Sequence, residues 1–215
     1  MSWFDDLSGV ERALIEPRFL KRTFKRGDTI VFQGDDSASV CILDAGHVAV
    51  KVATPRGESV TATVLGPHAS FGEIAAVTRH GRTATVVALT DVTVRVLPGS
   101  AFDDVRHREP EIDRALLRSM AARLDDLSAR LAEASYETVQ RRCEHRLVEL
   151  AESFAAPGGT SASIPLTQED LAGVVGATRP TINQVLGALA DQRLLTVSRG
   201  RIDVPDIEAL RRHAR

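Results

Sequence analysis

Two hydrophobic patterns divide the chain. After a short helical lead-in over residues 1–18, runs rich in valine and threonine alternate with glycine and proline turns up to about residue 100. The clearest runs lie at 29–32, 48–52, 60–65, 85–89 and 92–97. Short strands at near-regular spacing are typical of a β-sandwich or barrel. The first half of the chain is therefore predicted to be a β-domain.

A stricter pattern follows between residues 110 and 135. Apolar residues recur there at alternating spacings of three and four, at Leu117, Met120, Leu124, Leu127, Leu131 and Ala134. Such an a/d repeat is typical of two helices packed along a seam, whereas a helix buried on its own domain has a wider apolar stripe. A lone amphipathic helix on the β-domain is the alternative, but we favour a two-fold homodimer.

The last third of the chain has a helical pattern with clear punctuation. Ser135 to Thr138 interrupts the seam, and Thr138 can cap a new helix that continues to Phe154. A loop at 156–161 leads into a helix, a turn and a second helix, followed by a hairpin with Arg199-Gly200 at its tip and a short helix from Asp206.

Residues 168–187 have the features of a helix-turn-helix. Thr167 is a natural N-cap for the first helix, and Gly176 permits the positive φ that a tight turn needs. Thr178 can cap the second helix, and Pro180 lies in its first turn, where a missing N–H costs little. The apolar positions predicted for the core are Leu171, Val175, Ile182, Val185 and Leu189.

This arrangement leaves polar side chains on the outer face of the second helix, namely Thr178, Arg179, Thr181, Asn183 and Gln184. A helix of this kind reads base edges in the major groove of double-stranded DNA. Arginine suits guanine, asparagine and glutamine suit adenine, and threonine hydroxyls suit phosphates. Arg199 and Arg201 in the hairpin make it a winged version. A purely structural helical hairpin is the alternative.

A second candidate site lies in the β-domain. Gly72 followed by a helical turn would expose the N–H groups of Glu73 and Ile74 to an anion. Arg82 can add a bidentate contact and Thr83 a hydroxyl. Because the acid at position 73 would repel a phosphate, it suits a sugar hydroxyl, which suggests a nucleotide with a free 2′-OH. An ordinary turn with an Arg–Glu ion pair fits these residues equally well.

Together these features resemble one known family. The strand order, the stretches Phe71-Gly72-Glu73-Ile74-Ala75 and Arg82-Thr83-Ala84-Thr85, the seam helix and the winged helix-turn-helix are similar to the cyclic-AMP receptor protein/FNR family of bacterial transcription regulators, in its cyclic-nucleotide-binding branch. The resemblance runs from about residue 19 to 210. It implies an α+β fold, with a jelly-roll-like effector-binding β-roll (1–108), a dimerisation helix and hinge (109–137), and a winged helix-turn-helix DNA-binding domain (138–215).

The resemblance also implies roles for single residues. Glu73 would accept a hydrogen bond from the ribose 2′-OH, while Arg82, Thr83 and the N–H groups after Gly72 would hold the cyclic phosphate. Arg123 matches a family arginine near the nucleotide. Ser128 matches a serine that reaches the adenine across the dimer. Cyclic AMP is therefore the expected effector.

Two departures from the family pattern bear on specificity. Cyclic-AMP-responsive members often have Thr-Ser on the seam helix, where this chain has Leu127-Ser128, which removes a hydroxyl from base recognition. The best-known recognition helix reads Arg-Glu-Thr-x-x-Arg, where this chain has Arg179-Pro180-Thr181-Ile182-Asn183-Gln184. The palindromic operator is expected to differ accordingly, and which cyclic nucleotide binds stays open.

The residue composition argues against several other classes of protein. The 215 residues carry a net charge of −2 and include two cysteines, Cys41 and Cys143, too few for a disulfide framework, a zinc ribbon or an iron–sulfur cluster. His68 and His80 suit solvated loops better than haem ligation, and neither metal-ligand nor catalytic motifs occur, so we expect no metal, no haem and no enzyme. We see neither an apolar run long enough for a membrane span nor a basic leader typical of export, so we expect a cytoplasmic protein.

Two other functions remain open. One is a DNA-binding regulator of the same fold that responds to no effector, and the other is a cyclic-nucleotide sensor that acts through protein partners. The resemblance also leaves open whether the protein contacts RNA polymerase.

Overall fold

The computed structural model describes residues 2–54, 57 and 59–215. The chain divides into two compact units, one of Met1–Arg56 with Leu65–Ser128 and the other of Gly57–Val64 with Ala129–Arg215. Helices and antiparallel sheets are both present, which confirms the predicted α+β class.

Among the described residues of the first half of the chain, eight strands form two four-stranded sheets, ordered β1-β8-β3-β6 and β2-β7-β4-β5. Their bounds are β1 Leu20–Phe24, β2 Thr29–Val31, β3 Val40–Ala45, β4 Val48–Ala53, β5 Ser59–Leu65, β6 Ser70–Phe71, β7 Thr85–Ala88 and β8 Val92–Leu97. All five predicted runs are strands. The apolar core between them includes Cys41, Leu43, Val86 and Val94.

The helices of the first unit cover a second apolar core. They are α1 (Gly9–Ile15), α2 (Glu73–Thr78), α3 (Gly99–Arg108) and the start of α4 (Pro110–Tyr136). A 3-10 turn at Trp3–Asp6, capped by Ser2, places Trp3 edge-on against Phe102 of α3. The predicted helical lead-in is therefore confirmed, and its role is to close this core.

The long helix α4 is buried at its start and uncovered further on. Ile112, Ala115 and Leu116 are buried in the second core. The leucines of the predicted seam are largely exposed in the single chain, at 66% for Leu117, 64% for Leu124, 60% for Leu127 and 69% for Leu131.

The end of α4 differs from the prediction. The helix runs through Ser135 to Tyr136, whereas a break from Ser135 was expected. Ser135 is accommodated because its hydroxyl donates to the carbonyl oxygen of Leu131, one turn back (2.9 Å). Thr138 caps the next helix, as predicted, by accepting from the N–H of Arg141.

The C-terminal elements follow the predicted order. They are α5 (Val139–Phe154), β9 (Ala162–Ile164), α6 (Gln168–Val175), α7 (Arg179–Asp191), β10 (Thr196–Ser198), β11 (Arg201–Val204) and α8 (Ile207–His213). The sequence pattern had no indication of β9, which pairs with β11 to make the hairpin a three-stranded sheet. All five predicted core residues of the helix-turn-helix are buried. None of the described helices combines the length and apolarity that a bilayer crossing requires.

Candidate functional site

Gly72 occupies a position in the first unit that only glycine suits. Its φ is 91°, and it immediately precedes α2. A Cβ built on it would lie 2.3 Å from an Nη1 atom of Arg82 and 2.8 Å from the carbonyl oxygen of Ser39. The missing side chain therefore leaves room for the Arg82 guanidinium against the backbone.

Arg82 is buried, with 4% of its surface exposed. Its Nη1 donates to the carbonyl oxygen of Gly72 (3.1 Å), and its Nη2 donates to the hydroxyls of Ser39 (2.7 Å) and Ser37 (3.2 Å). Its Nε has no hydrogen-bond partner among the described residues. Burial disfavours the charged form and lowers the pKa of Arg82 from its ordinary value. An anion at this guanidinium would offset that cost.

Glu73 is buried as well, with 3% exposed, and forms an ion pair with Arg123 of α4 through Oε1. Arg123 also donates from Nη2 to the carbonyl oxygen of Ser70 (2.7 Å). Within the part of the chain that the structure describes, the second carboxylate oxygen, Oε2, has no hydrogen-bond partner. Glu73 is therefore paired with an arginine of α4 rather than with Arg82. The hydrogen bonds of the Arg82 guanidinium go to neutral groups.

This cassette, made of Gly72, Glu73, Arg82 and their contacts, thus holds one buried donor and one buried acceptor that lack partners among the described residues. A buried polar atom without a hydrogen bond is costly, and the large majority of such atoms in proteins are satisfied. Arg82 Nε suits an anion, and Glu73 Oε2 suits a hydroxyl. The residues fit a ligand that carries both groups, as the phosphate and ribose of a cyclic nucleotide do.

The other predicted cassette residues lie at the surface. Ile74 is 45% exposed in the first turn of α2, and Thr83 is exposed directly after Arg82. Ser128 is exposed on α4, where its hydroxyl donates to the carbonyl oxygen of Leu124 (2.8 Å). The single chain therefore brings together Gly72, Glu73, Arg82 and Arg123.

The helix-turn-helix of the second unit has the local geometry that its sequence predicts. Thr167 and Asp170 form a capping box at the start of α6, and Gly176 ends that helix at a φ of 70°. Thr178 caps α7, and its hydroxyl lies 2.9 Å from that of Thr181. The side chains of Arg179, Asn183 and Gln184 are exposed.

The hairpin adds a concave surface beside α7. Ser198 pairs with Arg201, so Arg199 and Gly200 form a two-residue turn. A pocket of about 500 Å³ lies between this turn and the starts of α6 and α7, and Arg179 and Arg199 both line it. Arg201 is less available for contacts with a ligand, because its Nε forms an ion pair with Asp203 (2.9 Å).

Comparison with known proteins bears on both units. Residues 21–109 match the family model of the cyclic nucleotide-binding domain, and residues 141–213 match that of the Crp-like helix-turn-helix domain. The chain belongs to the cyclic-AMP receptor protein/FNR family. The resemblance carried by the Gly72-Glu73 cassette and the helix-turn-helix is thereby confirmed.

Relatives across the family agree with this assignment. The chain is 30% identical over 194 residues to a CRP-like cAMP-activated global transcriptional regulator of Mycobacterium tuberculosis, covering 89% of this chain and 87% of the relative. It is 26% identical over 185 residues to a global nitrogen regulator of Synechococcus elongatus, covering 84% and 83%. A CRP/FNR-family transcriptional regulator from Thermus thermophilus has a similar structure, with a TM-score of 0.73, 25% identity and coverage of 91% and 98%. The mycobacterial relative and the Thermus protein are transcriptional regulators, which agrees with the expectation that this chain is not an enzyme.

Three serines that support the nucleotide cassette were not predicted from the sequence. Ser37 and Ser39 hold Arg82, and Ser70 contacts Arg123. Ser37-Ala38-Ser39 carries a weak signal in its spacing, because alternate residues of an extended segment face the same side. Ser70 has no serine at alternate spacing beside it, so it carries no comparable signal.

Proposed function

We propose that this family member is a homodimeric, sequence-specific DNA-binding regulator that is controlled by a cyclic nucleotide in the β-roll, with cyclic AMP as the first candidate. The observation that carries the effector assignment is the buried pair of unpartnered atoms, Arg82 Nε and Glu73 Oε2, beside Gly72. We assign the β-roll to residues 1–108, the dimerisation helix and hinge to 109–137, and the DNA-binding domain to 138–215. The cytoplasm is the expected compartment.

In the effector site, Arg82 would hold the cyclic phosphate, assisted by Thr83 and the N–H groups of Glu73 and Ile74. The carboxylate of Glu73 would accept from the ribose 2′-OH, with Arg123 fixing its orientation. Ser128 of the second copy would reach the base once its hydroxyl turns from the Leu124 carbonyl. Support for cyclic AMP comes also from the mycobacterial relative, which is a cAMP-activated regulator.

In the DNA site, α7 would lie in the major groove with Arg179 on a guanine and with Asn183 and Gln184 facing further base edges. Thr178, Thr181 and the wing residues Arg199 and Arg201 would contact phosphates. A dimer would place two such helices about 34 Å apart, which requires a palindromic site. Nucleotide binding would favour that arrangement only by binding it more tightly than the alternative.

Calorimetric titration of nucleotide-stripped protein with cyclic AMP, and with cyclic GMP for comparison, tests the effector. We expect saturable binding of cyclic AMP in the micromolar range. Arg82→Ala should abolish it while the thermal unfolding transition persists, and Arg22→Ala, an exposed arginine on β1, should leave it unchanged. Equal affinity in wild type and Arg82→Ala would refute the assignment of the cassette.

Selection of DNA from a random duplex library tests the second site. We expect the wild-type protein with cyclic AMP to enrich a palindrome, and Arg179→Ala to lose its preference for that palindrome. Arg212→Ala, an exposed arginine on α8, serves as the matched control. DNA affinity that ignores both nucleotides would favour the effector-independent regulator. Absence of any salt-dependent DNA binding would favour the sensor that acts through protein partners.

A further inference from the structure

Arg142 of α5 is a buried arginine outside both sites, with 9% of its surface exposed. All four hydrogen bonds that the described part of the chain offers its guanidinium go to backbone carbonyl oxygens. Nη1 donates to Glu137 (3.0 Å) and Ala134 (3.4 Å). Nε donates to Val175 (3.4 Å), and Nη2 donates to Gly176 (3.3 Å).

These carbonyls belong to the C-terminal ends of two different helices. Helix α4 ends at Tyr136, and α6 ends at Val175 with Gly176 as its C-cap. The last carbonyls of a helix lack partners within it and carry its partial negative charge. A guanidinium suits this place because it is always charged and its planar fork has five N–H donors. One side chain therefore caps both helices at once.

The position of this contact matters for the proposed DNA site. Residues 134–137 form the last turn of α4 and the hinge, and Gly176 is followed after one residue by Thr178, the cap of α7. We infer that Arg142 is a positioning residue that joins the end of α4, α5 and the end of α6 into one body. The recognition helix α7 then moves together with the seam helix α4 whenever α4 reorients. The link to effector control depends on the proposed function.

Hydrogen exchange tests the contact without reference to any ligand. Arg142→Met keeps an unbranched stem, although a shorter one, and removes every donor, so amides in residues 134–138 and 175–178 should exchange at least about tenfold faster. Arg142→Lys keeps the charge but cannot span both helix ends, so one segment alone should lose protection. Arg141→Met, on the exposed face of α5, should resemble wild type. Wild-type exchange of both segments in Arg142→Met or Arg142→Lys would overturn the inference.

A second measurement separates positioning from a merely structural role. The dissociation constant for the selected DNA is measured without and with cyclic AMP, and their ratio is the coupling. In Arg142→Lys we expect the ratio to fall at least about fivefold, the lower limit of typical allosteric coupling, while the cyclic AMP affinity of the DNA-free protein stays as in Arg141→Met. An unchanged ratio beside altered exchange would refute the positioning role. A ratio of one in the wild type would refute effector control, and hydrogen exchange alone would then decide on the Arg142 contact.

Discussion

The uncovered leucines of α4 make dimerisation the prediction with the clearest magnitude. Leu124 is 64% exposed in the single chain. If full burial of a leucine contributes about 2 kcal/mol, covering this fraction contributes about 1.3 kcal/mol per chain and about 2.5 kcal/mol per two-fold dimer. Leu124→Ala should therefore raise the dimer dissociation constant about 60-fold, since about 1.4 kcal/mol is tenfold. A cavity left at the seam would add to this loss.

Sedimentation equilibrium over a range of protein concentrations measures that constant. Leu20→Ala is the matched control, because Leu20 is 51% exposed but lies on the edge strand β1 and does not belong to the a/d repeat of α4. We expect the control to dimerise like wild type. A monomeric wild type, or equal dissociation constants for Leu124→Ala and Leu20→Ala, would show that the a/d repeat of α4 is not a dimer seam.

Two smaller predictions concern the wing and the cysteines. Arg199→Ala should weaken binding to all DNA sequences alike and reduce the slope of log affinity against log salt by about one per protomer. Arg201→Ala should have a smaller effect, because Arg201 is already paired with Asp203. A series of DNA affinities at increasing salt, measured for both variants, checks this. Burial raises the pKa of Cys41 and Cys143 to about 12, so at about pH 8 roughly one thiol in ten thousand is ionised. Iodoacetamide should therefore label both only in urea, and rapid labelling of the native protein would contradict this burial.

The parts of the fold that sequence predicts best are those with local signals. Thr167, Gly176 and Thr178 act within one or two turns of their own positions, so their caps and the positive φ could be derived from residue type and spacing. The seam likewise depends on periodicity along one helix. Strand β1 escaped the pattern because four of its five residues are exposed, so no alternation of apolar and polar positions marks it.

The candidate site was predictable only in part. Gly72, Glu73 and Arg82 lie within one short stretch, whose residue types already suggest an anion and a hydroxyl. The serines that hold Arg82 are 43 and 45 residues away, and their approach depends on the path of the chain into β3. Arg142 had no signal at all, because its partners are carbonyls, which every residue has. Contacts of this kind depend on tertiary structure alone.

The unpartnered oxygen of Glu73 provides a direct test of which ligand group enters the site. If Oε2 accepts from the ribose 2′-OH, 2′-deoxy cyclic AMP leaves it buried and unpaired, at a cost of about 1–3 kcal/mol or about 5- to 150-fold in affinity. In Glu73→Ala the acceptor is gone, so both nucleotides should bind equally, while Asp125→Ala, which removes an exposed acid of α4, should keep the difference. If the wild-type protein binds both nucleotides with the same affinity, Glu73 does not accept a hydrogen bond from the ribose 2′-OH. Since loss of the Arg123 ion pair weakens both nucleotides alike, only the ratio of the two affinities reports on this hydroxyl.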